Sequence, residues 1–327
     1  TLEETAYPVV MTAYAGSLWL IETDKLFTDD QYNGLSEEYI LHQRSCTGAS
    51  IATWPLTDED FSLHAPQLVP IGGTMLVLGT HVLTGDYPAG EISVRAFDVD
   101  TAEPVYEGVL DLPNTARFSA LLDADVHDDA LVVATRHLTP DQERLAIVQI
   151  PDLLDAEATT TLVNYRIEDG VNINVGNLAM TDSGPTLAWY ADWWSGEAYL
   201  ARNGGPVEAL DGDFWVHVAS AGDQDWMLYG PTIENLNTGE TMALPDRYGG
   251  FFPTSEGPIV LIRASGDEGD ELHRYDAALN LTETVPVDSP PNGLIDLGEG
   301  MVLLWRSVRD DDGTSTESFE TLQSGGQ

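Results

Sequence analysis

The chain has 327 residues, 55 of them acidic and 13 basic, for a net charge of −42 at pH 7. A field of that sign repels phosphates and anionic lipid wherever salt leaves it unscreened, so no nucleic-acid partner and no docking on anionic membrane are expected. Eight tryptophans and twelve tyrosines, with the acids spread along the whole length, exclude a disordered acidic tail and leave enough apolar surface for a large core.

Lys25 is the single lysine, and arginine is scarce too, so a bias in codon usage does not account for the balance. Two explanations remain: a carboxylate surface suited to high salt, where self-repulsion is screened, or a basic or cationic partner. The salt-adapted (halophilic) reading predicts that the unfolding midpoint rises steeply between low and molar KCl. A flat response would remove it. Cys46 stands alone, so neither an intrachain disulfide nor a cysteine-based metal site is expected. There is no run of 18 apolar residues to span a membrane. The start at Thr1, without Met, reads as a processed terminus. The expectation is an extracytoplasmic protein: periplasmic, secreted, or a lipoprotein held by a lipid anchor through a removed N-terminus.

In chain order, one apolar run recurs seven times. The copies are SLWLIETD from Ser17, TMLVLGTH from Thr74, ALVVATRH from Ala130, TLAWYADW from Thr186, DWMLYGPT from Asp225, PIVLIRAS from Pro258 and GMVLLWRS from Gly300. A turn signal precedes each one, such as Ala15-Gly16, Gly72-Gly73 or Ser183-Gly184-Pro185. Short continuous apolar runs suit strands buried on both faces. Around the second copy the unit is complete. Leu68–Ile71 comes before it, an alternating run Glu91–Val99 follows, and a turn through Asp98–Pro104 leads to Val105–Val109. That stretch reads as four antiparallel strands, and the repeats together predict three to four per unit. Only Asp152–Ala158 reads as a helical turn.

The prediction is an all-β chain folded as one domain over residues 1–322, with a flexible tail at 323–327. A β-sandwich would not need seven near-equivalent buried runs. The pattern resembles the seven-bladed β-propeller superfamily, with six or eight blades as the neighbouring counts, and the resemblance covers nearly the whole chain. It is one of repeat pattern and not of motif. The Trp-Asp and Gly-His signatures and the kelch double glycine do not recur, so no family's functional residues carry over. A propeller closes best when a strand from its start completes the last blade, because an open edge exposes unpaired backbone. The candidate for that role is Ala6–Met11, beside Glu317–Leu322.

In propellers generally, ligands tend to sit at one mouth of the central channel, among its loops. The loop after the fourth run holds Asp192, Trp193 and Trp194. Two adjacent tryptophans cannot both enter one pleated face, so either one packs between blades while the other covers a neighbour's edge, or one of them offers a stacking surface for a sugar or a protein. Trp215 and His217 share a face of a first-strand candidate. Arg263 and Arg306 end the sixth and seventh runs, placed either to pair with carboxylates or to grip an anionic ligand. The acidic loops Asp310–Gly313 and Gly266–Glu271, and the cluster from Asp123 to Asp129, could offer oxygens to calcium, but none has EF-hand spacing. The expectation is therefore no metal site and no cofactor, with Ca2+ the one alternative. No serine-nucleophile elbow, metalloprotease helix, phosphate loop or dinucleotide fingerprint occurs in the sequence. The functional expectation is a non-catalytic protein-binding scaffold or accessory subunit of a larger assembly. The alternative is a carbohydrate-active hydrolase or lyase working through channel-mouth carboxylates.

Overall fold

The computed structural model describes residues 7–23, 39–45, 48–56, 63–83, 89–110, 112, 118–138, 143–153, 158–167, 175–181, 183–190, 198–210, 216–245, 248–263, 269–288, 290–291, 293–298, 300–309 and 315–323. Their strands form seven antiparallel sheets, each built from consecutive strands of the chain. The first sheet is β1 (Tyr7–Tyr14), β2 (Ser17–Thr23), β3 (Tyr39–Ser45) and β4 (Ser50–Pro55). The second is β5 (His64–Ile71), β6 (Thr74–Leu83), β7 (Ala89–Asp98) and β8 (Pro104–Val109). The third is β9 (Phe118–His127), β10 (Ala130–Leu138), β11 (Glu143–Ile150) and β12 (Thr160–Arg166). The fourth is β13 (Val175–Thr181), β14 (Gly184–Tyr190), β15 (Ala198–Ala201) and β16 (Val207–Leu210). The fifth is β17 (Val216–Ala221), β18 (Gln224–Tyr229), β19 (Thr232–Asn235) and β20 (Thr241–Ala243). The sixth is β21 (Tyr248–Phe252), β22 (Ile259–Ile262), β23 (Asp270–Tyr275) and β24 (Leu281–Val287). The seventh has three strands, β25 (Gly293–Gly298), β26 (Met301–Arg309) and β27 (Ser315–Gln323). Every one of the seven apolar runs is the second strand of its sheet. No helix among the described residues is long and apolar enough to cross a membrane. The predicted helical turn at Asp152–Ala158 lies mostly outside the described residues.

The chain divides into two compact units. One spans Thr5–Gly176 and carries the first three sheets; the other holds Asn177–Gln327 and the last four. Within each unit, the second strands show why their runs are continuously apolar. On β6, Met75 and Val77 pack against Trp19, Ile21 and Leu41 of the first sheet. The intervening Leu76 and Leu78 pack against Leu131 and Val133 of the third. On β22, Val260 meets Trp226 and Leu228 of the fifth sheet, while Ile259 and Leu261 meet Val302 and Leu304 of the seventh. Successive strand residues point to opposite faces, so a strand sandwiched between two sheets must be apolar at both parities.

Turn chemistry sets the pairing. The β1–β2, β5–β6 and β9–β10 hairpins each have two central residues at positive φ: Ala15 and Gly16, Gly72 and Gly73, Asp128 and Asp129. That is the type I′ geometry, whose twist matches the strands it joins. It also corrects the strand-closure expectation for Ala6–Met11. Residues 7–11 belong to β1, which the Ala15-Gly16 hairpin holds against β2 as the first strand of the first sheet. The turns from third to fourth strand share a second device. In Asp98-Val-Asp-Thr101-Ala-Glu103 the Asp98 carboxylate accepts the Thr101 N–H at 2.8 Å and its hydroxyl at 2.9 Å, and these bonds hold its pKa below the ordinary value. In Asn235-Leu-Asn-Thr238-Gly-Glu240 the Asn235 side-chain oxygen accepts from the N–H groups of Asn237 and Thr238.

The few basic residues tie sheets together. Arg95 of β7 is 9% exposed and donates to the carbonyls of Pro55, the last residue of β4, and Leu56 just after it, while pairing with Glu107 of β8. Arg202, just after β15, forms a two-pronged pair with Glu234 of β19 at 2.8 and 2.9 Å. Arg274 of β23 is 7% exposed, donates to the carbonyls of Gly300 and Leu322 and pairs with Glu283. In each case an arginine on or just after a third strand bridges to the adjoining sheet.

The last strands differ in how their open edges are guarded. Proline cannot donate to a ladder, and it lies within β4 (Pro55), β8 (Pro104) and β24 (Pro286). The edges of the fourth and fifth sheets are short: β16 has four residues and β20 three. β12 has seven residues and ends on Arg166. β27 runs for nine residues, Ser-Thr-Glu-Ser-Phe-Glu-Thr-Leu-Gln, with neither proline nor lysine.

Candidate functional site

The first strands of the fourth, fifth and sixth sheets bring polar and aromatic groups together. His217 stands at an alternating position of β17, between the buried Val216 and Val218. Its Nδ1 lies 3.2 Å from Oδ1 of Asn177 on β13. Phe251 of β21 meets the imidazole edge-on, with centroids 6.2 Å apart and ring planes at 75°. An amide oxygen can only accept, so Nδ1 carries the proton and Nε2 keeps its lone pair. Burial pushes the His217 pKa down, which favours the neutral ring. The result is a neutral imidazole, fixed in one tautomer, that presents an acceptor.

Asn177 and Phe251 escaped the sequence reading. The available signal for Asn177 was a single strongly polar residue inside Val-Gly-Asn-Leu-Ala-Met. Phe251 carried none, because an aromatic in an apolar strand reads as core.

The other predicted residues separate. Arg263 follows β22 and donates to Asp270 at 3.1 Å, and its side chain lies over the backbone of Gly249. Arg306 of β26 bonds Glu320 of β27 at 2.7 Å. Asp192, Trp193, Trp194 and Trp215 lie outside the described residues. Among the described residues no group of three His, Cys, Asp or Glu is placed to hold a metal ion. A cleft of about 40 Å³ beside Thr254, Glu256, Arg274 and Asp296 has room for about one water. Asp296 there is already engaged: one oxygen takes the N–H and hydroxyl of Ser255, and the other takes the N–H of Gly298.

No family model matches the sequence, and no curated protein does either. Solved structures do. The β-propeller domain of the trilobed protease from Pyrococcus furiosus, whose topology is described as an open velcro, is 10% identical with a TM-score of 0.55, over 99% of this chain and 96% of that one. The chain is a β-propeller. Its seven sheets are the blades, six of four strands and one of three among the described residues. The Pyrococcus horikoshii acylaminoacyl peptidase is 11% identical with a TM-score of 0.57, over 98% of this propeller and 52% of that chain. A mutant Trypanosoma rangeli sialidase is also 11% identical, with a TM-score of 0.53 over 96% of the propeller and 54% of that chain. The propeller thus spans about half the length of these two enzymes. At such identities the likeness is one of fold.

Titration of His217 gives a measurable consequence. Its unfolded pKa is near the ordinary 6.5 and its folded value is lower. Between the two values the unfolded chain binds more protons, so stability drops as pH falls below about 6.5 and levels off only under the folded pKa. His137 acts in the same direction: it is 3% exposed, bonds Thr135 at 2.7 Å and has its pKa lowered by burial. The loss of urea midpoint between pH 7.5 and 5.5 should shrink in His217→Gln and shrink further when His137→Gln is added. Identical losses in all three proteins would refute the assignment.

Proposed function

We propose that this propeller is a non-catalytic binding module, a scaffold or accessory subunit that holds another protein outside the cytoplasm. The observation that carries the reading is the edge of the seventh blade. Among the described residues six blades end in a fourth strand, and the seventh ends at β27. Natural sheets guard such an edge, as prolines do here on β4, β8 and β24, and an unguarded edge of nine residues is a template for another strand. The neighbours are compatible with a propeller working beside another module, since the Pyrococcus furiosus match is a domain of a protease. The carbohydrate-active alternative asks for free carboxylates about 5–10 Å apart, and Asp296 on β25 already has both oxygens occupied.

The test is to purify the propeller from its source at native salt, identify proteins that co-purify, and map by hydrogen exchange the amides they protect. Protection of blade-edge amides by a stoichiometric partner is expected. Release of sugar from a polysaccharide panel by the propeller alone would overturn the reading.

A further inference from the structure

We infer that Thr53, on the outer strand of the first blade, is an acyl-acceptor site. Its hydroxyl takes one acyl group from a neutral activated donor of the thioester class and keeps it as an ester. The inference goes beyond the protein-binding reading and does not depend on it, since one group taken up per chain involves no turnover.

Three neighbouring strands assemble the site: Glu22 is on β2, His42 on β3 and Thr53 on β4. The register sets Leu20 opposite His42 and His42 opposite Thr53. Glu22 lies two residues along from Leu20, so the pleat puts all three side chains on one face of the sheet. The opposite face, with Trp19, Ile21 and Leu41, packs against the second blade. Nδ1 of His42 lies 3.2 Å from the Thr53 hydroxyl oxygen. Oε2 of Glu22 stands 3.0 Å from Nε2, a charge contact and not an aligned hydrogen bond. Arg44, two residues along from His42, brings its guanidinium to 3.8 Å from the other Glu22 oxygen. Glu22 is 4% exposed, the His42 side chain 14%, and Thr53 is open to solvent. A buried acid, a part-buried imidazole and an exposed hydroxyl therefore run outward across the blade.

The order of those groups sets the chemistry. A carboxylate only accepts, so the proton of the neutral imidazole sits on Nε2, and Nδ1 accepts the Thr53 O–H. A hydroxyl within reach of a base, with a third group behind the base, is the arrangement that activates a nucleophile. Oγ1 attacks the acyl carbon and forms the C–O bond while its proton passes to Nδ1. The C–S bond then breaks, and the leaving thiolate takes that proton from Nδ1. Between these steps the charge of Glu22 offsets the imidazolium. Charge also selects the donor. Phosphoryl donors carry several negative charges and are repelled by a chain at −42, whereas a neutral thioester is not.

The test treats the full chain with S-acetyl-N-acetylcysteamine, a small neutral thioester. The expected result is one acetyl group per chain, mapped by peptide mass to Thr53. Alkaline hydroxylamine should release it, because that reagent cleaves esters and spares an amide formed at Lys25, the single lysine. Thr53→Val should lose the label, Thr53→Ser should keep it, and His42→Gln should slow it at least about a hundredfold. Glu22→Gln should lower the maximal labelling rate and leave the half-saturating probe concentration unchanged, which marks a residue that positions the base. Thermal midpoints establish that each variant is folded. If Glu22→Gln is not, the Thr53 and His42 variants decide the matter. No acetyl group on Thr53 of the wild-type chain, or equal labelling rates at Thr53 in wild type and His42→Gln, overturns the inference.

Discussion

Gly257→Ala is expected to be among the most damaging single substitutions in this chain, costing about 4 kcal/mol or more, whereas Gly184→Ala costs about half as much. Both glycines sit in the same local device, Thr-x-x-Gly-Pro, between the first and second strands of a blade: Thr181-Asp-Ser-Gly184-Pro185 and Thr254-Ser-Glu-Gly257-Pro258. In both, the threonine hydroxyl donates to the glycine carbonyl. Both glycines have positive φ, 123° at Gly184 and 147° at Gly257, a region that strains an L side chain by roughly 1–3 kcal/mol. The surroundings then separate them. A Cβ at Gly184 would meet the Asn203 carbonyl oxygen at 3.2 Å, a contact relieved by a few tenths of an ångström. A Cβ at Gly257 would stand 2.1 Å from the Tyr275 carbonyl oxygen and 2.8 Å from that of Asp276. Those oxygens belong to the end of β23 and the turn after it, where Tyr275 N–H also bonds the Pro258 carbonyl, so no rotamer can relieve the clash. Overpacking against fixed backbone adds roughly 1–3 kcal/mol or more to the dihedral strain. Against a typical total of about 5–15 kcal/mol, Gly257→Ala should lower the urea midpoint severely. Equal losses at the two positions would show that the close approach at Gly257 relaxes freely.

The blade pattern was legible because packing repeats. A second strand such as β6, pressed between two sheets, must be apolar at every position, so its run stands out against any background. The hairpin signals were legible for a similar reason, since Gly72-Gly73 or Asp128-Asp129 supplies two positive-φ residues in a row. The pairing of β1 was missed although its signal was present. Ala15-Gly16 was read as a start for β2, and the same turn also ties β1 to it. The seventh blade shows three strands among the described residues, within the three to four per blade that the sequence predicts, and which blade is the shorter one becomes visible only beside the other six.

The site was harder for a physical reason. Asn177, His217 and Phe251 lie on three different blades, at positions 177, 217 and 251, and nothing local to one strand announces the other two. Arg263 and Arg306 were legible as charges near strand ends, but which carboxylate each one meets depends on cross-strand register. Arg306 pairs two residues along from its own cross-strand partner, Ser318, and that offset is set by side-chain reach.

Arg274→Met is expected to destabilise the propeller by about 3 kcal/mol, and Arg306→Met by under about 1 kcal/mol, although both remove an arginine from an ion pair. Arg274 is 7% exposed, and its guanidinium satisfies the Gly300 and Leu322 carbonyls of the seventh blade as well as Glu283 of its own. Methionine fills much of the same space and restores none of those bonds, so the carbonyls lose their donor inside the protein. Removing one member of a buried pair costs roughly 3–5 kcal/mol. The lower end applies here because the Glu283 side chain is 30% exposed and regains some hydration. Arg306 faces a glutamate whose side chain is 54% exposed, and pairs of that kind contribute roughly 0–1 kcal/mol. Salt separates the two cases further. About 1 M KCl screens an exposed pair almost completely, so the Arg306→Met deficit should vanish there, while the Arg274→Met deficit persists because its cost is lost hydrogen bonding across two blades. Thermal midpoints of the two variants at low and molar KCl decide this. An Arg274→Met deficit that disappears in salt would mean that the arginine acts as a surface charge and does not clamp the sixth blade to the seventh.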